Sequence, residues 1–260
     1  MPFREQDGIR YFSFDIFPQS IAQAVFTRRG GVSPAPWDSL NVGGLVGDDI
    51  AHVRENRIRS FNALGRKPAS IFDVWLVHST DVICAREPRD LNETPIQADA
   101  ILTDNPAVTL YMRYADCVPL MFHDPKKGVV GIAHAGWMGT VKGMAGATVE
   151  RMQSQYGCKP ENILAAIGPS IGADHYEIGP DVITKVKGTF GSDAERFLDR
   201  RDGRVYLDLW TANYVQLQAA GVEKIEVAGV CTACHLEDWF SHRAENGKTG
   251  RFGALIGLGA

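Results

Sequence analysis

The sequence predicts an α/β (α+β) protein in which helices pack on a mixed β-sheet. Short apolar or alternating runs, the pattern typical of strands, outnumber the helical stretches and occur in clusters. Clustered strands favour a mixed sheet over a Rossmann fold or a barrel of regularly alternating units. The 260 residues carry no internal repeat, low-complexity tract or linker. We therefore expect a single domain over residues 1–260.

The elements follow from periodicity and from turn and cap residues. Asp48 or Asp49 provides an N-cap for the first helix, and Gly65, Gly157 and Gly221 follow the first, second and fourth helices. Helices are predicted at Ala51–Leu64, Thr140–Tyr156, Asp181–Phe190 and Leu209–Ala220. Strands are predicted at Arg10–Phe17, Gln23–Thr27, Ile71–His78, Asp81–Arg86, Ala98–Thr103, Val108–Arg113, Val118–His123, Val129–His134, Ile163–Ile167, Val205–Leu207, Lys224–Val230, Trp239–His242 and Phe252–Leu258.

Composition excludes several classes of protein. Hydrophobic residues make up 45% and charged residues 22%, as in ordinary globular proteins, and the net charge of −4 argues against a nucleic-acid partner. The N-terminal segment lacks the uninterrupted apolar core of a signal peptide, and no apolar run is long enough to span a membrane. Five cysteines without framework spacing favour a reducing compartment, so we expect a cytoplasmic protein. The usual nucleotide-binding loops are absent from the sequence.

Three predicted strands place a metal-competent side chain at or next to a strand end. The segments are "VWLVHS" with His78, "YMRYADCVPLMF" with Cys117, and "GIAHAGW" with His134. Two imidazoles and one thiolate are good zinc ligands, and three protein ligands leave a fourth position for water or substrate. The spacing alone leaves an alternative open, in which the histidines are hydrogen-bonded core residues and Cys117 is a small buried hydrophobe.

A series of motifs occurs here in one order and covers the chain from about residue 24 to the C-terminus. The motifs are "TRRGGVSPAPWDSLNVG", "HVRENR", "VHS", "ADA", "ADCVPL", "HAGW", "IGPSIGADHYEIG" and a late "CT…WFSHR". Together they closely resemble the laccase-domain, or multicopper polyphenol oxidase, family. The resemblance implies a three-layer α/β/α sandwich around a mixed sheet. It also implies purine nucleoside phosphorylase and adenosine deaminase activity.

The resemblance assigns the family's metal to His78, Cys117 and His134, with zinc as the expected ion and copper chemically allowed. A blue-oxidase copper centre needs about ten histidines. The chain has seven, so a multicopper centre is not expected. The family arginine after "HAGW" is Met138 here, and we expect Arg113, at a neighbouring strand end, to replace it in anion binding. The expected catalytic residues are Cys117, His134 and Asp116. Asp116 is the nearest carboxylate in sequence, but its neighbour Cys117 points to the opposite face of the strand, so a structural role for Asp116 stays open.

Arginines and an asparagine in the family motifs are candidates for binding substrate or phosphate. Arg28 and Asn41 belong to a glycine-rich loop that could close over a ligand, although Asn41 could also be part of a turn scaffold. Arg57 could direct its guanidinium at phosphate or remain a solvated helix residue. Arg243 lies in the late motif, which departs from the family's "SYRR".

A CxxC pair lies apart from these segments. Cys231 and Cys234 are followed by His235, but no second pair follows, so a zinc knuckle is not expected. His175 is expected in a turn.

We expect a zinc enzyme that cleaves adenosine, inosine or methylthioadenosine with phosphate and deaminates adenosine. Its partners would be purine nucleosides and phosphate; the oligomeric state stays open. A bacterial toxin deamidase of related topology keeps a Cys117/His134 hydrolase or amidase as one alternative. A copper-binding polyphenol oxidase and a noncatalytic zinc-binding module are the others.

Overall fold

A computed structural model describes residues 2–259 of the chain. Its helices are α1 Ile50–Ala63, α2 Trp137–Lys142, α3 Met144–Tyr156, α4 Pro180–Phe190 and α5 Leu209–Ala219. Its strands are β1 Phe3–Gln6, β2 Ile9–Phe12, β3 Ala22–Phe26, β4 Ile71–Phe72, β5 Val82–Cys84, β6 Ala100–Thr103, β7 Thr109–Tyr114, β8 Val118–Asp124, β9 Val129–Ala135, β10 Leu164–Ile167, β11 Leu198–Arg201, β12 Arg204–Leu207, β13 Lys224–Val227 and β14 Phe252–Gly257. Within residues 2–259, no helix has the length and apolar character needed to cross a membrane.

The strands form two six-stranded sheets and a small ribbon of β11 and β12. The first sheet has the order β1-β2-β3-β14-β7-β4, and the second has the order β13-β10-β8-β9-β6-β5. Each sheet is mixed: β4 runs parallel to β7, β5 to β6 and β13 to β10, while the other neighbours are antiparallel. At the centre of the second sheet, Pro119 pairs with His134 and Val118 with Ala135.

Alternating side chains along each strand divide the core into layers. On β9, Val130 and Ile132 pack in the core between the sheets, whereas Val129 and Ala133 pack in the core against the helices. The helix-side core contains residues of α3 and α5, and on the outer face of the first sheet Phe61 of α1 packs against strand residues. Helices thus lie outside and mixed sheets inside, as the predicted α/β class requires, and the central β layer consists of two sheets.

One predicted helix is interrupted. The stretch predicted as Thr140–Tyr156 forms α2 and α3, which meet at Gly143 in the left-handed conformation with φ +88°. The Gly143 N–H bonds the carbonyls of Gly139 and Thr140, which ends α2. Glycine adopts this conformation without a steric penalty, so one helix can end and the next can begin at this residue.

Several predicted strands were wrong in extent or in kind. Arg10–Phe17 is a strand only up to Phe12, Asp81–Arg86 only over residues 82–84 and Lys224–Val230 only over residues 224–227. Ile71–His78 is a strand only over residues 71–72, because the N–H groups of Val77 and Ser79 bond to a side-chain carboxylate instead of a neighbouring strand. Trp239–His242 is not a strand, because the Trp239 N–H bonds within a turn to His235 O. Trp239 is fully buried all the same, so its apolar character reflects the core and not sheet pairing. The short strands β1 and β11 were not predicted, since their segments are largely polar.

Candidate metal and active site

A cavity of about 410 Å³ opens where the layer between the two sheets ends. Its lining contains the three predicted metal ligands, neighbours of His78 and Cys117 in the chain, and residues from three further segments. The lining residues are Gly43, Gly44, Leu45, Val46, Trp75, Leu76, His78, Arg113, Tyr114, Ala115, Cys117, His134, His242 and Arg251.

The structure brings His78, Cys117 and His134 together as expected. One ligand atom from each residue lies within 4.8 Å of the others, and the two imidazole centroids are 5.0 Å apart. Cys117 immediately precedes β8, and His134 lies on the adjacent strand β9. Cys117 and His134 are each an even number of residues away from the residues of their strands that face the other sheet, so their side chains point to that same side. They enter the site where the apolar layer between the sheets ends.

A buried carboxylate that was not predicted as a site residue positions both histidines. Asp99 Oδ1 lies 3.0 Å from Nδ1 of His134. Asp99 Oδ2 accepts the N–H groups of Val77 and Ser79, at 3.1 and 2.7 Å, which flank His78. His78 itself has a φ of 57°, an uncommon conformation for a non-glycine residue. Asp99 thereby stabilises the loop that presents His78 and orients the His134 ring. With Nδ1 bonded, Nε2 of His134 is left for a ligand.

The electrostatics of the site favour ionised side chains. Burial opposes ionisation of the Cys117 thiol, but the charge and hydrogen bonding of His134, followed by His78, lower the Cys117 pKa to about 6. Burial likewise opposes a charge on His134, but Cys117 and Asp99 raise its pKa to about 9. Burial of Asp99 is outweighed by its bonds to His134 and Ser79, which lower its pKa to about 2. A thiolate beside an imidazolium is the result.

Gly136 allows the close approach of the ligands. A Cβ atom at this position would lie 2.7 Å from Cys117 Sγ and 3.4 Å from His78 Cδ2. Only glycine therefore leaves room for the thiolate at its present position. This close packing explains why a glycine stands at this point of the "HAGW" motif.

The donor set suits a transition-metal ion. Two imidazoles and a thiolate of low pKa are ligands for zinc and also for copper, and the cavity leaves a further position accessible. The carboxylate behind His134 is the partner that metal-bound histidines commonly have.

The sequence as a whole matches a known family. A profile of the family described as "Multi-copper polyphenol oxidoreductase laccase" matches residues 22–259. The chain belongs to this family.

Several similar proteins carry phosphorylase names. The Deinococcus radiodurans protein named purine nucleoside phosphorylase is 39% identical over 92% of this chain and 90% of its own length. The crystal structure of YlmD from Geobacillus stearothermophilus matches with a TM-score of 0.92 and 34% identity, covering 100% of this chain and 99% of YlmD. A Bacillus licheniformis structure titled hypothetical protein YfiH matches with a TM-score of 0.90 and 32% identity, over 99% of both chains. The predicted family and fold class are confirmed.

In this laccase-family chain, Arg113 is the predicted arginine that lines the cavity. Its guanidinium donates to Val74 O at 2.7 Å and lies 3.6 Å from the buried carboxylate of Asp73. Asp73 also contacts Arg89 at 2.7 Å and Arg57 at 3.9 Å. Three guanidinium groups share one carboxylate, so the cluster carries excess positive charge beside the cavity. Arg57 does not line the cavity; it donates to a backbone carbonyl and contributes to this charge.

Two other predicted ligand-binding residues are held by contacts within the protein. Arg28 does not line the cavity, because its guanidinium bonds Asp38 and Glu245 and stacks 4.4 Å from the Phe240 ring. Asn41 is fully buried, and its Oδ1 accepts the N–H groups of Gly43 and Arg251. Asn41 therefore shapes the cavity wall and makes no contact with its interior.

Asp116 and Arg243 are bonded to each other beside the site. Asp116 Oδ2 accepts the Arg243 N–H at 2.7 Å, and Asp116 Oδ1 accepts the Thr232 hydroxyl at 2.7 Å. The Arg243 guanidinium donates to Glu177 O and lies 5.0 Å from the Tyr176 ring centroid. Neither side chain is among the residues that line the cavity, so the structure does not bring Asp116 and Arg243 together with the three candidate metal ligands in its lining. Both carboxylate oxygens of Asp116 are therefore engaged by Arg243 and Thr232.

The residues that sequence reasoning missed are Asp99, His242 and Arg251. Asp99 lies in the "ADA" motif, and His242 lies in the late "WFSHR" motif, so both had a motif signal. Arg251 had none, because only the fold brings the start of β14 to the cavity.

Proposed function

We propose that the protein is a zinc-dependent purine nucleoside phosphorylase. The observation that carries the proposal is the cavity itself, where His78, Cys117 and His134 face a wall that contains Arg113. The names of the relatives support the choice of purine nucleosides and phosphate as substrates.

The rim of the cavity suits a purine. Trp75 and Leu45 are 42% and 79% exposed although both are large and apolar. Such side chains at a cavity mouth offer a flat apolar surface for a base. We propose that these two side chains contact the purine base, and that Arg113 and Arg251, which line the wall, bind phosphate.

Phosphorolysis then exchanges one bond at the ribose. A phosphate oxygen forms a bond to C1′ while the C1′–N9 bond breaks, and its electron pair leaves with the purine, which takes up a proton. The products are ribose 1-phosphate and the free base. Arg113, supported by the excess positive charge around Asp73, would hold and orient the phosphate. His242 also lines the cavity and is not one of the three candidate metal ligands. We propose that its imidazole donates the proton that the departing purine takes up.

His78, Cys117 and His134 would hold the zinc. When bound, the metal supplies a Lewis acid at the base of the cavity. Zinc is proposed over copper because a set of two imidazoles and one thiolate with an open position is typical of catalytic zinc.

Deamination of adenosine is proposed as the slower activity. That reaction needs a carboxylate to move protons. The nearest ones, Asp99 and Asp116, are occupied by His134 and by the Arg243 N–H, and no carboxylate is among the described lining residues.

The test is product analysis with inosine, adenosine and methylthioadenosine, with and without phosphate. We expect free base and ribose 1-phosphate (methylthioribose 1-phosphate from methylthioadenosine) only with phosphate, with less inosine than adenine from adenosine. Chelation and Cys117→Ala should both abolish turnover, whereas Cys84→Ala, which alters a cysteine outside the cavity, should not. No base release with phosphate would contradict the proposal. Hydrolysis that survives chelation and is lost on thiol alkylation would favour the Cys–His hydrolase instead.

A further inference from the structure

A second group of metal-competent side chains lies outside the cavity. One ligand atom each of Asp174, His175, Cys231 and Cys234 lies within 4.8 Å of the others. The first two residues follow β10, and the two cysteines follow β13. The parallel pairing of β10 with β13 brings these two segments together.

The distances within the group are within a few tenths of an ångström of those in a tetrahedral site. His175 Nδ1 lies 3.8 Å from Cys231 Sγ, 3.4 Å from Cys234 Sγ and 3.0 Å from Asp174 Oδ2. Cys234 Sγ lies 3.0 Å from Asp174 Oδ2. Tetrahedral bonds of about 2.0–2.3 Å to zinc place ligand atoms roughly 3.3–3.8 Å apart. Small shifts of exposed side chains are therefore enough to complete the coordination.

The backbone around the group is built closely against it. The Gly172 N–H donates to Cys231 Sγ at 3.2 Å, the kind of bond that supports a thiolate. A Cβ at Gly172 would lie 2.5 Å from Asp174 Oδ1 and 3.2 Å from Cys231 Cβ, so glycine leaves room for both side chains at their present positions. Cys231 itself is buried, and Ser170 pairs with it in a parallel bridge.

We propose that Asp174, His175, Cys231 and Cys234 bind a second, structural zinc ion. Two sulfur atoms, one nitrogen and one oxygen complete four-coordination and leave no open position, unlike the three-ligand site in the cavity. His235, which the sequence places next to the CxxC pair, is outside the group, since its Nδ1 lies 3.3 Å from Glu237. The CxxC motif thus receives its partners from a different loop.

The second zinc would stabilise the surroundings of the cavity. Both connected segments contact Asp116, which precedes Cys117: the Ile171 N–H donates to Asp116 O at 3.0 Å, and the Thr232 hydroxyl bonds its carboxylate. Cross-linking the two segments therefore restrains the residue next to a ligand of the first site.

The test is metal content of reduced protein, which needs no assay of turnover. We expect about two zinc ions per chain, about one in Cys117→Ala, about one in Cys234→Ala, and none in the double variant. Cys84→Ala, outside both groups, is the matched control and should keep two. His175→Ala, at an exposed position, replaces Cys234→Ala if that variant fails to fold, and should also hold about one.

Cobalt loaded into Cys117→Ala identifies the ligands. We expect thiolate-to-cobalt charge-transfer absorption and the strong visible bands of tetrahedral cobalt, both lost when Cys234→Ala is added. The proposal is wrong if reduced Cys117→Ala binds no metal, or if it retains its metal in the double variant. Failure of phosphorolysis would leave these readouts unchanged, so the two proposals are tested separately.

Discussion

Oδ1 of Asp99 lies 3.0 Å from Nδ1 of His134, and both side chains are buried. His134 is therefore a hydrogen-bonded core histidine and a cavity residue at the same time, although the sequence presented these as alternatives. The same carboxylate bonds the backbone on both sides of His78. One side chain thus sets the geometry of two candidate metal ligands.

Asp99→Asn should weaken zinc binding at the cavity site by about 10- to 100-fold. The amide keeps the shape of the carboxylate but removes its charge, so the His134 ring becomes a poorer ligand. Competition with a chromogenic chelator in the Cys234→Ala background measures the affinity of this site. Asp104→Asn, at an exposed carboxylate outside the cavity, serves as the control. Equal affinities in the two variants would show that Asp99 does not support the metal.

Gly136→Ala should lose the cavity metal, because the new methyl group would lie 2.7 Å from Cys117 Sγ. Gly146→Ala is the matched control: it lies inside α3, and its Cβ would meet nothing within 4 Å. The control should raise the free energy of unfolding by about 0.5–1 kcal/mol, as expected for alanine in a helix. Metal content and thermal unfolding of both variants are measured together. Full cavity-site occupancy in Gly136→Ala would contradict the close packing.

Arg113→Ala should raise the KM for phosphate at least about 10-fold, the effect of losing roughly 1.4 kcal/mol of binding. Adenosine deamination should change far less, because it uses no phosphate. Arg196→Ala, an exposed arginine paired with Asp193, is the control for charge. Met138→Arg should recover part of the loss if Arg113 has replaced the family arginine. An unchanged phosphate KM in Arg113→Ala would show that the anion binds elsewhere.

Alkylation of Cys117 in metal-free protein should follow a pKa of about 6 in place of the usual 9.0. The thiolate is the reactive form, so roughly nine-tenths of the thiol should be reactive at neutral pH. The Cys117 pKa is lowered because the neighbouring His134 stays positively charged until the pH rises through about 9, and below that pH it stabilises the thiolate. His134→Ala should therefore raise the pKa and slow neutral-pH alkylation about 10-fold or more.

Mass spectrometry of the Cys117 peptide across pH 5–10 measures this prediction, and Cys117→Ala identifies reaction at other thiols. An alkylation midpoint near 9 in the otherwise unchanged protein would contradict the ion pair.

Much of the fold and of the site could be predicted from the sequence. Alternating apolar residues identified most strands, because burial of one face imposes a period of two on any strand. Asp49 caps α1 as predicted, since a short carboxylate before a helix satisfies a free N–H group. His78, Cys117 and His134 could be predicted as candidate metal ligands because each stands at or beside an apolar run, and because their motifs occur in the order typical of the family.

Only the tertiary structure decided which residues act together. Local periodicity shows that a face is apolar but not what covers it, so the sequence could not distinguish one sheet from the two that pack here. Arg28 and Arg113 were both candidates for anion binding from the sequence; the fold surrounds Arg28 with acceptors and places Arg113 at the cavity wall. Asp99 meets His134 through β6–β9 pairing, and Asp174 meets Cys234 through β10–β13 pairing. Such contacts join residues distant in the chain, and they depend on strand pairing, which no local pattern specifies.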